Sequence, residues 1–231
     1  MDLYSGLPYW IVKNPLNDYF NPLEKDYKTD VVVIGSGITG TLVAHELCKA
    51  GIKCCIVDKR TPGTGSSAAS TALLQYEIDV PLFKMAKDIG EENALLAYQS
   101  CLQAITDVEK TFEEVGINPD FKRVPSVFYA SDKQGEKIIK KEYEIRKKHG
   151  LPVTMLSSKE VKKAYGFDTS CALMNEESGQ IDAYLASTIL LDYNMKKHGL
   201  EVFTQTTVSS CKKKGNAYET KTENGRTIKS K

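Results

Sequence analysis

Apolar positions along the chain take two forms, short unbroken runs and longer stretches with a helical period. Asp30 to Ile34 is a short run of β-branched residues, the mark of a parallel strand buried on both faces. Ile38 to Ala50 has helical composition and ends at Gly51, a residue suited to the position just beyond a helix. Lys53 to Val57 is a second buried strand, closed by Asp58. Strand, helix and strand in this order predict a βαβ unit with a right-handed crossover. Cys54 and Cys55, adjacent in the second strand, are expected to point to opposite faces.

The rest of the chain continues in both forms. Pro81 opens a helical stretch to about Glu114, with Leu82, Met85, Ile89, Leu95, Leu102, Ile105, Val108 and Phe112 marking one apolar face. A β segment is predicted at Arg123 to Ala130 and a charged helix at about Lys133 to His149. Ser157 begins a short helix, with Glu160 at the capping-box spacing. Ala172 to Asn175 reads as a strand, Ala183 to His198 as an amphipathic helix stopped by Gly199, and Val202 to Gln205 as a further strand. Val208 to Lys229 alternates weakly around Lys212-Lys213-Lys214-Gly215-Asn216 and Glu223-Asn224-Gly225, which predicts antiparallel strands joined by hairpin turns. Residues 1–29, with Pro8-Tyr9-Trp10 and Asn21-Pro22-Leu23, read as an extended arm with turns that packs its aromatics on a neighbouring surface.

Composition narrows the classes. With 231 residues, 41% hydrophobic and 26% charged, the chain is globular, with length for one large domain or two small ones. A net charge of +1 lacks the electrostatic footprint of a nucleic-acid binder, and the lysines of 137–148 alternate with Glu142 and Glu144 as on a solvated helix face. No run approaches the roughly 18 apolar residues of a membrane span, and Met1 to Gly6 has neither a basic nor an apolar signal region. These features predict a cytoplasmic protein without an integral membrane segment; its oligomeric state is not readable. The six cysteines, Cys48, Cys54, Cys55, Cys101, Cys171 and Cys211, have no zinc-site spacing and read as buried, reduced thiols. His149 and His198 each precede a helix-ending glycine, where the macrodipole favours a cation. No metal site and no catalytic pair is evident.

The chemistry lies at the first strand–helix turn. Gly35-Ser36-Gly37-Ile38-Thr39-Gly40 follows the strand directly and opens the helix, and Asp58 ends the second strand. Gly35 allows the tight turn, Gly37 lets backbone approach a pyrophosphate, and Gly40 lets helix and sheet pack closely. The helix N-terminus supplies free N–H groups to the anion. Asp58 is suited to the adenosine ribose hydroxyls, and its charge disfavours a 2′-phosphate, which argues against NADP. Lys59 and Arg60 follow, and then Gly63 to Thr71, a run of small and hydroxyl residues. Such a loop suits a second backbone approach to phosphate and a flat ring. An NAD-dependent dehydrogenase with an unusual insertion, and a glycine turn that binds nothing, are the rival readings.

The segment Asp30 to Leu74 resembles the start of the FAD-dependent oxidoreductases of the D-amino-acid oxidase, glycine oxidase and sarcosine oxidase family. Gly179-Gln180-Ile181-Asp182 is similar to the segment at which that family's chain returns to its FAD domain. The resemblance implies an α/β fold: a Rossmann-like FAD-binding domain with a parallel sheet and a β-hairpin excursion, holding an inserted α+β substrate or cap domain. By that reading 30–80 and 179–231 form the discontinuous FAD domain and 81–178 a partial substrate domain, C-terminally incomplete, behind the arm of 1–29. It implies FAD as cofactor and hydride transfer from an amine or amino acid to flavin N5. Ser66 and Ser67 would meet phosphates, Ala69, Thr71, Ala72 and Leu73 would lie near the flavin, and the Val208 backbone would meet the adenine. Asp182 has an independent reading as an N-cap, and Gln75, Tyr76 and Asp79 are candidates for the active site, Asp79 equally for helix entry. A non-catalytic fragment that binds only an ADP moiety is the further alternative.

Overall fold

The computed structural model describes residues 6–15 and 20–231, so the first residues of the arm and residues 16–19 lie outside it. In chain order the described elements begin with α1 (Tyr9–Lys13), β1 (Tyr27–Lys28), β2 (Val31–Ile34), α2 (Ile38–Lys49), β3 (Cys54–Val57) and β4 (Leu73–Leu74). There follow α3 (Leu82–Ile89), α4 (Glu91–Val115), β5 (Lys122–Arg123), β6 (Ser126–Tyr129), α5 (Lys133–Lys148), β7 (Thr154–Ser157) and α6 (Ser158–Tyr165). The last are β8 (Cys171–Asn175), β9 (Gly179–Gln180), α7 (Ala183–His198), β10 (Glu201–Phe203), β11 (Val208–Lys214), β12 (Ala217–Thr222) and β13 (Thr227–Ser230). The chain divides into two compact units. The first takes the described residues up to Ala72, Val115–Pro119 and Asp182–Lys231; the second takes Leu73–Glu114 and Asp120–Ile181. The divisions thus fall at 72 and 182, where the sequence places them at 80 and 179, and the arm belongs to the first unit.

The first unit is an α/β structure built on a parallel sheet in the order β10-β3-β2, with Val33 beside Ile56 and Val202 beside Ile56 on the other side. Both faces of β3 are covered, which is why its sequence is unbroken in apolar residues. Cys54 and Ile56 pack with Ala44 and Cys48 of α2 and Leu191 of α7. Cys55 and Val57 face the other way, onto Leu23 and Ile228. The two adjacent cysteines therefore serve opposite layers, as the period of a strand requires. A second sheet, β1-β13-β12-β11, carries the expected antiparallel strands, and Gly215 turns between β11 and β12 at φ 63. β1 adds a parallel pair to β13, which the sequence does not reveal.

Helix ends obey their local chemistry. Asp182 caps α7, its Oδ1 accepting from Leu185 N at 2.9 Å, and Gly199 stops the same helix at φ 67. The extended reading of the arm is corrected in part: Tyr9–Lys13 form a short helix, with Pro8 O accepting from the N–H groups of Ile11 and Val12.

In the second unit α5 packs on a three-stranded antiparallel sheet, β6-β8-β7, around Ala130, Ile139, Cys171 and Leu173. The long helix predicted from Pro81 is two helices, because Gly90 at φ 87 leaves the helical region between α3 and α4. The β segment at 123–130 is likewise divided, with Pro125 between β5 and β6 offering no N–H to a ladder. Ser157 forms the full capping box with Glu160. His149 is the C-cap of α5, its Nε2 2.7 Å from Glu91. Cys48, Cys54, Cys55 and Cys171 are buried free thiols, whereas Cys101 is half-buried and Cys211 is exposed on β11, a strand at the edge of its sheet. No helix among the described residues is long and apolar enough to cross a membrane.

Candidate dinucleotide site

A cleft of about 570 Å³ opens in the first unit where β2 gives way to α2. Gly35 makes the turn at φ 103, a conformation open to glycine, while its N–H donates to Val57 O at 2.8 Å. Gly40 sits so close beneath the turn that a Cβ there would lie 2.0 Å from Gly35 O. The third glycine is therefore obligatory for the contact between helix and turn. At Gly37 a Cβ would approach the Ser67 hydroxyl to 3.1 Å. That hydroxyl accepts from Ile38 N at 2.9 Å, so the serine loop is stitched to the first turn of α2. The first-turn N–H groups of Thr39 and Gly40, which a helix leaves without an internal acceptor, belong to residues of the cleft wall.

Asp58 organises the opposite side. Its Oδ2 accepts from Ser36 N at 2.7 Å and from Ser36 Oγ at 2.6 Å, while Oδ1 accepts from Arg60 N at 2.8 Å. Oδ2 is filled by its two bonds, and Oδ1 retains one acceptor site beyond the bond from Arg60. The sequence places Asp58 toward a ribose; the structure adds that the same carboxylate fixes the glycine turn and the start of the next loop. Ser36 is buried behind the turn and does not line the cleft.

The other residues singled out from the sequence divide clearly. Gly35, Gly37, Ile38, Thr39, Gly40, Asp58, Lys59, Arg60, Ser66 and Ser67 line the cleft. Ala69 and Thr71 lie exposed on the loop that borders it, and Ala72 is buried at φ 54. Leu73 is exposed in β4 of the second unit, and Val208 packs against the Leu23 cluster at the start of β11. Gly63, Gly65 and Ser70 also line the cleft; the sequence signal for them was the small-residue loop itself. Gly63, at φ 70, would clash with Tyr184 if it carried a Cβ, at 2.8 Å. Ile34 and Val43 add exposed apolar surface to the wall, suited to a flat ring. Tyr76 is corrected: it is fully buried in the second unit, donates to Pro152 O at 2.6 Å and is packed among protein groups. Asp79 is exposed and does not cap α3, whose cap position is Pro81.

A parallel βαβ unit with a glycine turn, an open helix N-terminus and an acid at the end of the next strand defines the class of dinucleotide-binding folds. The chain belongs to the DAO family, described as FAD dependent oxidoreductase, whose sequence profile matches residues 30–230. It is similar to YhfW of Bacillus subtilis (strain 168), a protein named for a Rieske 2Fe-2S iron-sulfur centre, with 26% identity over 223 residues. That match takes in 96% of this chain and 42% of the relative. Among solved structures, L-proline dehydrogenase from P. horikoshii is 25% identical with a TM-score of 0.72, over 89% of this chain and 51% of the other. L-amino acid deaminase from Proteus myxofaciens, at 18% identity, shares the fold with a TM-score of 0.76 over 94% of this chain and 47% of that one. The chain thus spans about half, or less, of the length of these relatives.

Proposed function

We propose that the protein binds FAD in this cleft and oxidises a small amine or amino acid. The observation that carries the reading is the glycine turn itself: Gly40 closed against Gly35, the α2 N-terminus at the cleft wall and Asp58 locked beside it. The backbone of Gly35 and Gly37 and the first turn of α2 would hold the pyrophosphate, with Ser66 and Ser67 at the phosphates and Lys59 and Arg60 adding positive charge. Asp58 would accept from a ribose hydroxyl with the acceptor site that Arg60 leaves over on Oδ1. Ala69, Thr71, Ala72 and Leu73 would border the flavin ring, and the Val208 backbone the adenine. When bound, FAD supplies a hydride acceptor at its N5 for the carbon bearing the amine. The protein's part is then orientation, and the second unit is assigned the role of substrate domain. The named activities of the relatives, proline dehydrogenation and amino-acid deamination, support an amine or amino-acid substrate.

Titration of the purified full-length protein with FAD and, separately, with NADH tests the reading. A yellow protein with flavin absorbance and an amine-dependent bleaching of that absorbance is expected. Tight NADH binding by a protein that cannot be reconstituted with FAD would reverse it.

A further inference from the structure

We infer that Trp10 is a positioning residue for the cofactor loop, its indole N–H holding the end of the small-residue loop in the shape that walls the cleft. The inference rests on the FAD reading above and concerns an arm residue, Trp10, that this reading does not use. The α1 helix is five residues long and contains no buried residue, so it is too short to stand by itself. Polar bonds tie this helix near both of its ends. Trp10 Nε1 donates to Ser70 O at 2.8 Å. Asn14 Nδ2 donates to Asp182 Oδ2 at 2.6 Å, and Lys13 Nζ lies 3.6 Å from the same oxygen and 5.4 Å from the centre of the Trp10 ring. Asp182 is wholly buried as the cap of α7, so the arm is fastened to a rigid point of the first unit.

The loop on the other side of the indole bond needs such a fastening. From Thr61 to Ala69 it contains turns but no strand or helix that would set its shape. Its beginning is pinned to the glycine turn, by Gly63 N donating to Ser36 O at 3.1 Å and by Ser67 accepting from Ile38 N. Its end is pinned differently. Ser70, which lines the cleft, accepts through Oγ from Ala72 N at 3.0 Å, and Ala72 holds φ 54, a conformation that residues with a Cβ rarely adopt. A backbone held in such a region persists where the surroundings over-determine it. Beside the turn bonds of Ala69 N to Ser66 O at 3.1 Å and Ser70 N to Ser67 O at 3.5 Å, Ser70 adds a constraint through its hydroxyl and Trp10 adds one from outside the loop, through the Ser70 carbonyl. Trp10 thereby connects the α7 cap, through the arm, to the end of the loop.

Trp10→Phe keeps a ring and removes the donor; Asn14→Ala removes the bond to Asp182 at the other end of α1. Both are made in the full-length protein and compared with the wild type in FAD affinity, in thermal unfolding of the FAD-free form, and in hydrogen exchange of residues 68–72 without FAD. Loss of one hydrogen bond that orders the loop is expected to weaken FAD binding about 5-fold in Trp10→Phe and less in Asn14→Ala. Exchange at 68–72 is expected to quicken while the unfolding temperature of the FAD-free protein stays within a degree or two of the wild type. A merely structural role would lower the unfolding temperature and leave loop exchange and FAD affinity in step with it. Unchanged affinity together with unchanged exchange in Trp10→Phe overturns the inference and leaves the FAD reading standing. Failure of the wild type to bind FAD overturns that reading instead, and loop exchange in the variants still decides whether Trp10 holds the loop.

Discussion

Each unit gathers buried polar side chains, to opposite ends. In the first, half-buried Asp58 and buried Ser67 accept from backbone N–H groups around a glycine turn, buried Ser36 donates its hydroxyl to Asp58, and the helix N-terminus is left at the wall of an open cleft. In the second, Glu142 and Arg146 are closed off, at 0% and 2% exposure. Both oxygens of Glu142 cap α3 by accepting from Leu82 N at 2.9 Å and Phe83 N at 3.2 Å, and Arg146 Nε donates to Oε1 at 2.7 Å. Arg146 Nη1 reaches Glu77 at 3.1 Å, and its guanidinium lies 5.4 Å and 5.5 Å from the ring centres of Tyr76 and Tyr98. The charged cluster is the more conspicuous of the two, yet its groups are directed at protein. The candidate site is distinguished by a helix N-terminus at the wall of a cleft, and a buried ion pair is not such a mark.

That contrast can be broken or sharpened by substitution. Removing the cation from the second unit has the largest expected effect. Arg146→Met leaves Glu142 buried without its partner and should lower stability by about 3–5 kcal/mol, read from urea unfolding. FAD affinity measured in the folded protein should stay at the wild-type value; a parallel loss of affinity would show that the two regions are not separate in role. Gly40→Ala should do the reverse in kind. The 2.0 Å approach to Gly35 O forces the turn to move, costing about 1–3 kcal/mol, and the displaced N–H groups should weaken FAD binding at least about tenfold. Normal FAD affinity in this variant would remove the glycine turn from the site.

The smallest effect separates the units by pH. Burial pushes the thiols of Cys54 and Cys55, in the sheet beneath the cleft, from 9.0 up to about 12. Below pH 9 both folded and unfolded chains keep these protons, and the stabilisation is fully present. As pH rises toward 12 the unfolded chain releases protons that the folded chain retains, so stability falls, by about 1 kcal/mol per thiol at pH 10. Burial of Tyr76 in the second unit raises its hydroxyl from 10.0 to about 12, so its loss begins later. Urea midpoints under reducing conditions between pH 8 and 11 should fall from about pH 9, and Cys54→Ala with Cys55→Ala should remove the early part of the fall. An unaltered profile in that double variant would reassign the titration.

Much of the first unit was legible along the chain because its signals are local. The unbroken run at Val31–Ile34, the glycine spacing, Asp58 and the alternation of Cys54 and Cys55 each report on neighbours a few residues away. The capping box at Ser157 and the helix of Ala183–His198 were read for the same reason. Gly90 was also visible, but a helical period on both sides masked the break it makes. The alternation around β7 was too short to predict a strand, and β8 supplies its partner from across the sheet. Tyr76 looked available for chemistry beside the loop; burial against Arg146 decided otherwise.

By itself, then, the sequence determined the βαβ unit, the turn that opens its helix and the residue types able to meet a dinucleotide, since these depend on spacing and on the absence of a Cβ. Only the tertiary structure decided which buried polar groups face protein and which border a cleft, that Glu142 caps a helix sixty positions earlier in the chain, and that Trp10 reaches Ser70. Those contacts join residues far apart in sequence, and their partners are chosen by packing and burial, which no local pattern records.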